Sequence, residues 1–406
     1  GAQMTAISGH AVGEASSVFI QKCYEWMYAN RANLAWDTYF SSSDASLHGT
    51  SPTVDPESGG ATVARNNTKA ALKFKSLWGL DAPIVISYTP GHYAAYEATR
   101  TGVNSTFSNA NHPGIVGVQM RYMWKNLETS LGVYDFSQVL TDLDNARAVG
   151  KKVVVMIVDK TFSDNVSGAA DYRDGAVPSY LLPYTSPNPG GSAGALSVHR
   201  WRDYPRDRLI ALIQALAGAI NGHAALEAVA TQETSIGISD ANLTTYGYTH
   251  QLYRDAYKSV LSAACTAFPT KRIFWYMNFI ASTPDSGGGG QAMIGDVIDY
   301  MIASNYRNFS FGGPDILPNS TSLNNLTYPY YDTYNGQVRM FCSNQFDSYE
   351  SIKSTSPTVY HTMDEMLDWG VTNLHINYCM WNYQATADPV GSNDWADALV
   401  AIAASP

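Results

Sequence analysis

The chain has 406 residues, 45% of them hydrophobic, enough for one large core or two ordinary ones. Its formal net charge is -10 and only 15% of residues are charged, so no basic stripe can neutralise phosphates and nucleic-acid binding is not expected. No apolar run approaches the roughly 20 residues of a membrane helix, so no membrane partner is expected either.

Residues 14–30 carry Phe19, Ile20, Cys23, Tyr24 and Met27 at helical spacing, and Leu34 to Phe40 is strand-like. After a polar loop, a second helix is expected from Ala61 to Trp78, stopped by Gly79. This opening is similar to the last strand and closing helix of barrel glycosidases like those of glycoside hydrolase family 26. Residues 1–80 are therefore expected to form an extension, either the remnant of a preceding tandem barrel or an elaboration packed on the main domain.

From Pro83 the pattern becomes regular. Pro83 to Ser87 reads as a first strand, Tyr93 to Arg100 as a weak helix, and Gly114 to Arg121 as a second strand. Asp135, with Gln138 in the capping-box place, is expected to start a helix with Phe136, Val139, Leu140, Leu143 and Ala146 on one face. The run Val153 to Val158, closed by Asp159, has the β-branched continuity of a parallel strand buried on both faces.

Pro205 opens the next helix, and Leu226 to Gly237 (LEAVATQETSIG) is a short strand that ends by delivering Glu233 between Gln232 and Thr234. Further helices are expected around Tyr253 to Ala264, Met293 to Met301, Thr362 to Trp369 and Asn393 to Ala404. Strands are expected at Arg272 to Asn278, Phe309 to Phe311, Val338 to Asn344 and Asn373 to Trp381, and between the sixth and seventh a helix is missing or short. Eight strands with helical crossovers predict a (β/α)8 TIM barrel over residues 81–406, with an open doubly wound sheet as the alternative.

The segment from Gly117 to Phe162 resembles retaining barrel glycosidases of glycoside hydrolase clan A, through Trp124, Leu127, Glu128, Gly132, Tyr134, Asp135 and Phe136. The resemblance implies a glycoside hydrolase whose acid/base is a Glu at the end of the fourth strand, here Glu233, with Gln232 where the family has Asn. A raised Glu233 pKa in a partly apolar site would suit that role. It also implies a second Glu at the end of the seventh strand, where this chain has Gln345. The nucleophile is then expected from Asp347 or Asp315, with Asp159 and Glu350 behind them. Retention needs the two carboxylates about 5–5.5 Å apart and inversion about 6.5–9.5 Å.

Sugar rings stack on aromatic planes, which makes Trp124, Trp275, Tyr378 and Trp381 subsite candidates. His92, Arg121 and Asn278 are further substrate-binding candidates at strand ends, while Glu128 is expected to cap its turn. The substrate expected is a polysaccharide or oligosaccharide. The 27 Tyr and 9 Trp resemble the makeup of secreted carbohydrate-active proteins. Two other readings remain: a non-catalytic carbohydrate-binding barrel, suggested by Gln345, and a polysaccharide lyase using Tyr and His on the same scaffold.

No GxSxG, HExxH, GxGxxG or P-loop occurs, and the histidines lack ligand spacing. Cys23, Cys265, Cys342 and Cys379 form no CxxC pair. No metal and no cofactor are expected.

Overall fold

Eight parallel strands pair in sequence and the first pairs with the last, so the sheet has no edge. They are β1 (Gly91–Thr99), β2 (Ile115–Met123), β3 (Lys152–Val158), β4 (Leu226–Thr231), β5 (Arg272–Tyr276), β6 (Phe309–Gly313), β7 (Arg339–Asn344) and β8 (Tyr378–Asn382). The result is a (β/α)8 TIM barrel, as expected. This computed structural model describes residues 86–99, 111–161, 175–188, 195–280, 289–345, 361–383 and 394–405. The expected helices and strand of residues 1–80, together with Asp347 and Glu350, lie outside the described residues.

Six longer helices lie among the crossovers: α1 (Ser137–Ala148), α2 (Asp203–Ile220), α3 (His250–Ala267), α4 (Gly289–Ala303), α5 (Met363–Asn373) and α6 (Trp395–Ala404). Their apolar stripes are those the sequence shows; α3 buries Tyr253, Ala256, Tyr257, Val260, Leu261 and Ala264. Thr362 and Glu365 close a capping box on α5, and Asp394 and Asp397 close another on α6. At α1 the expected box does not form. Asp135 accepts from the Ser137 N–H at 2.9 Å, while Gln138 turns to Asp142 at 3.1 Å. Two short helices, Thr321–Leu326 and Pro329–Thr333, fill the weak crossover before β7.

Alternation along the strands sorts two layers of core. Tyr93, Ala95, Met156, Ala228, Phe274, Phe341 and Met380 fill the ring, whereas Ala94, Val155, Ile273, Trp275, Phe311 and Trp381 face the helices. Each large side chain so buried contributes about 1.5–3 kcal/mol over leaving it in water. Gly117 is required here, because a Cβ would sit 2.5 Å from the Tyr93 ring and 2.4 Å from the Lys152 carbonyl.

The first strand departs from expectation. Residues 86–90 are irregular, and the expected helix from Tyr93 is instead β1. Its period of two, with Tyr93 and Ala95 inward and Ala94 and Tyr96 outward, outweighs the helical propensity of its alanines and glutamate, because burial on both faces favours the strand.

Candidate active site

The carboxyl ends of β3, β4 and β5 bring one hydrogen-bonded cluster together. Glu233 lies two residues beyond β4, and its side chain is 14% exposed. Its Oε1 accepts from Lys160 Nζ at 3.0 Å, and its Oε2 accepts from Asn278 Nδ2. The β4–β5 ladder runs on past the strands, with the Thr234 N–H donating to the Tyr276 carbonyl at 3.0 Å. Thr234 Oγ1 then joins the Asn278 backbone at 2.7 and 2.8 Å, which fixes Asn278 opposite Glu233.

Lys160 is 1% exposed, and it also donates to the Ser235 carbonyl. Burial pulls its pKa down to about 8, against the attraction of Glu233. For Glu233 burial pushes the pKa upward, but the Lys160 charge and the Asn278 and Lys160 hydrogen bonds outweigh it, and the net direction is down. The expected raised pKa of Glu233 is therefore corrected: cations and donors surround the carboxylate, and it is held ionised.

Asp159, which closes β3, is paired with Arg200 through both oxygens, one of them at 2.6 Å from Nε. Arg200 also donates to the Glu233 carbonyl at 2.6 Å and to the Tyr257 hydroxyl at 2.9 Å. Gln232 accepts from the Asp159 and Lys160 N–H groups at 3.0 and 2.9 Å and returns a bond to the Lys160 carbonyl at 3.1 Å. These bonds make Gln232 a clamp between β3 and β4, and they correct its expected role as a sugar donor.

Inside the ring at the same end, Tyr276 donates to Gln119 at 2.6 Å and lies 3.1 Å from Ser343 Oγ. Arg121 shares the inward parity of Gln119, and its Nε is buried with no hydrogen-bond partner. Gln345 follows β7, half-buried, at the position where the clan A resemblance implies a Glu.

The aromatic candidates are elsewhere. Trp124, Trp275 and Trp381 are fully buried in the layer between strands and helices, so none offers a face to a sugar. Trp124 donates to Glu128 at 2.8 Å, and Trp275 packs on Tyr257 and Phe309. Trp381 donates to His92 Nδ1 at 3.0 Å, whose Nε2 meets Ser405 at 3.0 Å, so His92 ties α6 to the barrel wall. Burial lowers the His92 pKa to about 4, leaving a neutral ring at pH 7. These placements correct the assignments of Trp124, Trp275, Trp381 and His92 to a subsite.

Tyr378 begins β8 at the amino-terminal floor, so it too is corrected. Its hydroxyl bonds Glu227 at 2.9 Å. The Asp315 carbonyl accepts from Tyr328 and Cys342 at 3.1 Å in the outer layer. Glu128 accepts from the Gly132 N–H at 2.8 Å and caps its turn, in which Gly132 has φ +72.

No family model and no curated protein sequence matches the chain. Among solved structures, the catalytic domain of β-amylase from Paenibacillus polymyxa superposes with a TM-score of 0.51 at 11% identity, over 79% of this chain and 100% of that one. The likeness is one of fold, the closed (β/α)8 barrel. A psychrophilic glycoside hydrolase family 10 endo-β-1,4-xylanase gives a TM-score of 0.47 at 11% identity over 78% of this chain and 96% of that one. The intracellular xylanase TsXylA from Thermoanaerobacterium saccharolyticum gives 0.47 at 14% over 79% and 98%. Glu233 lies where (β/α)8 barrels carry their chemistry, at the carboxyl end of a strand.

The sequence did not single out Lys160, Arg200 or Thr234. A Lys directly after the acid that closes β3 was the one available signal, since a cation at a buried strand end needs an anion nearby. Arg200 comes from the small hairpin of Thr185–Pro187 and Leu196–Val198, and no spacing in the chain relates it to Asp159. Among the described residues, no cluster of three His, Cys, Asp or Glu could hold a metal ion.

Proposed function

We propose that this chain is a glycoside hydrolase acting on a polysaccharide or oligosaccharide at the carboxyl mouth of its barrel, with Glu233 as the ionised carboxylate of the reaction. One observation carries the reading: Glu233 is held charged at the mouth by Lys160 and Asn278 while keeping 14% of its side chain exposed.

Glycosidic hydrolysis divides labour between a protonated and an ionised carboxyl. An ionised Glu233 suits the nucleophile of a retaining enzyme or the base of an inverting one, and ill suits the proton donor. The second carboxyl is then the acid, which protonates the departing oxygen, and Asp347 after β7 is the first candidate, ahead of Asp315. Lys160 and Asn278 keep Glu233 oriented, and Arg121 is the donor inside the ring for a substrate hydroxyl. Secretion, suggested by the Tyr- and Trp-rich composition, belongs to the same proposal.

Glu233→Gln is expected to reduce reducing-end release on the true substrate by about 10³-fold or more. Retained turnover would reject the assignment. Gln345 favours a second reading, a carbohydrate-binding barrel without hydrolysis; a polysaccharide panel assayed for both binding and cleavage separates the two, since binding without cleavage at every pH supports the module.

A further inference from the structure

The amino-terminal face of the barrel carries a polar cavity remote from the mouth. Its volume is about 480 Å³, and it lies among the loops that enter β6, β7 and β8. Arg272, Arg307, Arg339, His375, Gln337 and Asn377 line it, and among the described residues no aspartate or glutamate does.

Arg272 is 7% exposed, and its Nε is buried without a hydrogen-bond partner. Its Nη1 donates to the Arg307 carbonyl at 3.0 Å. The Arg272 and Arg339 guanidiniums lie over the same Tyr88 ring, 5.4 and 4.7 Å from its centroid, so two like charges share one aromatic platform. Arg307 Nε donates to Asn305 Oδ1 at 3.2 Å. Among the described residues none of the three arginines is paired with a carboxylate. Asp332 at the rim is bonded to His375 at 2.9 Å and is 75% exposed. Glu227, the carboxylate on the floor, is occupied by Ser87 at 3.0 Å, the Thr89 N–H at 2.8 Å and Tyr378 at 2.9 Å.

Buried guanidinium without an anion is costly, and planar guanidinium matches the geometry of phosphate oxygens. In a chain of net charge -10, one buried and two exposed arginines without a carboxylate partner among the described residues line one cavity. We propose that this cavity binds a phosphate group, as inorganic phosphate or as the phosphate of a small polar monoester, through Arg272, Arg307 and Arg339. Its volume is in the range of small-molecule sites, about 300–1,000 Å³, and leaves Gln337 and Asn377 to meet a polar body beyond the phosphate.

The test is isothermal titration calorimetry of the full chain with inorganic phosphate and with glycerol 3-phosphate, at constant ionic strength. Saturable binding at a single site is expected, weakened about tenfold or more by Arg307→Gln and by Arg339→Gln. Both side chains are exposed, so these variants keep the fold, which an unchanged Tm verifies. Tighter binding of glycerol 3-phosphate assigns the monoester, and equal or weaker binding assigns free phosphate. Absence of saturable binding at millimolar phosphate overturns the proposal, as does binding that both variants leave unchanged. Glu233→Gln is expected to leave phosphate binding intact, so failure of the hydrolase reading and failure of this one are told apart.

Discussion

At the mouth of the barrel Glu233 faces Lys160 and Asp159 faces Arg200, whereas at the floor Glu227 takes its hydrogen bonds from the neutral donors of Ser87, Thr89 and Tyr378, and Arg272 meets a ring and a carbonyl. The mouth therefore balances charge within itself. At the floor the carboxylate is satisfied by hydrogen bonds from Ser87, Thr89 and Tyr378, and the arginines line the cavity. A register shift in β4 accounts for the placement of Glu227: Val153 pairs with Leu226 but Val154 with Ala228, so Glu227 is the extra residue of a bulge. One ring of strands thus supports an ion-pair cluster where its loops are long and a neutral donor set where they are short.

The largest effect should come from removing one side of a mouth pair. Lys160→Met leaves the half-buried Glu233 without its cation, and a loss of about 3 kcal/mol in unfolding free energy is expected by urea denaturation. A loss under about 1 kcal/mol would mean that the pair contributes little to holding the mouth together.

Next comes the floor. Glu227→Gln turns an acceptor of three bonds into a group with its own N–H donors facing the donors of Ser87, Thr89 and Tyr378. The expected cost is about 1–3 kcal/mol, read as a shifted urea midpoint with unchanged slope. If it exceeds the cost of Lys160→Met, the contrast between the two ends is reversed.

The acid limb of the stability profile tests Glu233 directly. Its folded pKa lies below its unfolded value of 4.5, so its contribution is complete above about 4.5 and is lost as pH falls through the folded pKa. The Tm difference between wild type and Glu233→Gln should accordingly be level near neutrality and shrink below about pH 4.5. A difference that grows on acidification would mean that the carboxyl is protonated in the native state.

The smallest effect is expected at the cavity rim. Arg339→Gln should change stability by no more than about 0.5 kcal/mol, since the side chain is exposed and its guanidinium lies over the Tyr88 ring. A larger loss would make Arg339 part of the floor's structure rather than of a binding surface.

Most of the barrel was legible because burial on both faces writes itself as uninterrupted β-branched runs, as in Val153 to Val158, and because each helix carries a stripe such as Tyr253 to Ala264. β1 was misread because its alternation is carried by alanine and tyrosine, residues that a helix also accepts. Glu233 and Asn278 were found as strand-end residues, and Glu128 as a turn cap, since each follows from local sequence.

Local sequence set the strands, the helix stripes, their order and hence the closed ring, because periodicity and capping act over a few residues. Tertiary structure decided which strand-end residues meet and which face the helices. Trp381 and Tyr378, three positions apart on one strand, fall on opposite faces by alternation, but that Trp381 meets His92 and Tyr378 meets Glu227 follows from ring closure. Glu233 is charged because Lys160, 73 positions away along the chain, is folded against it. Such pairings depend on ring closure and register, which no short stretch of the chain encodes by itself.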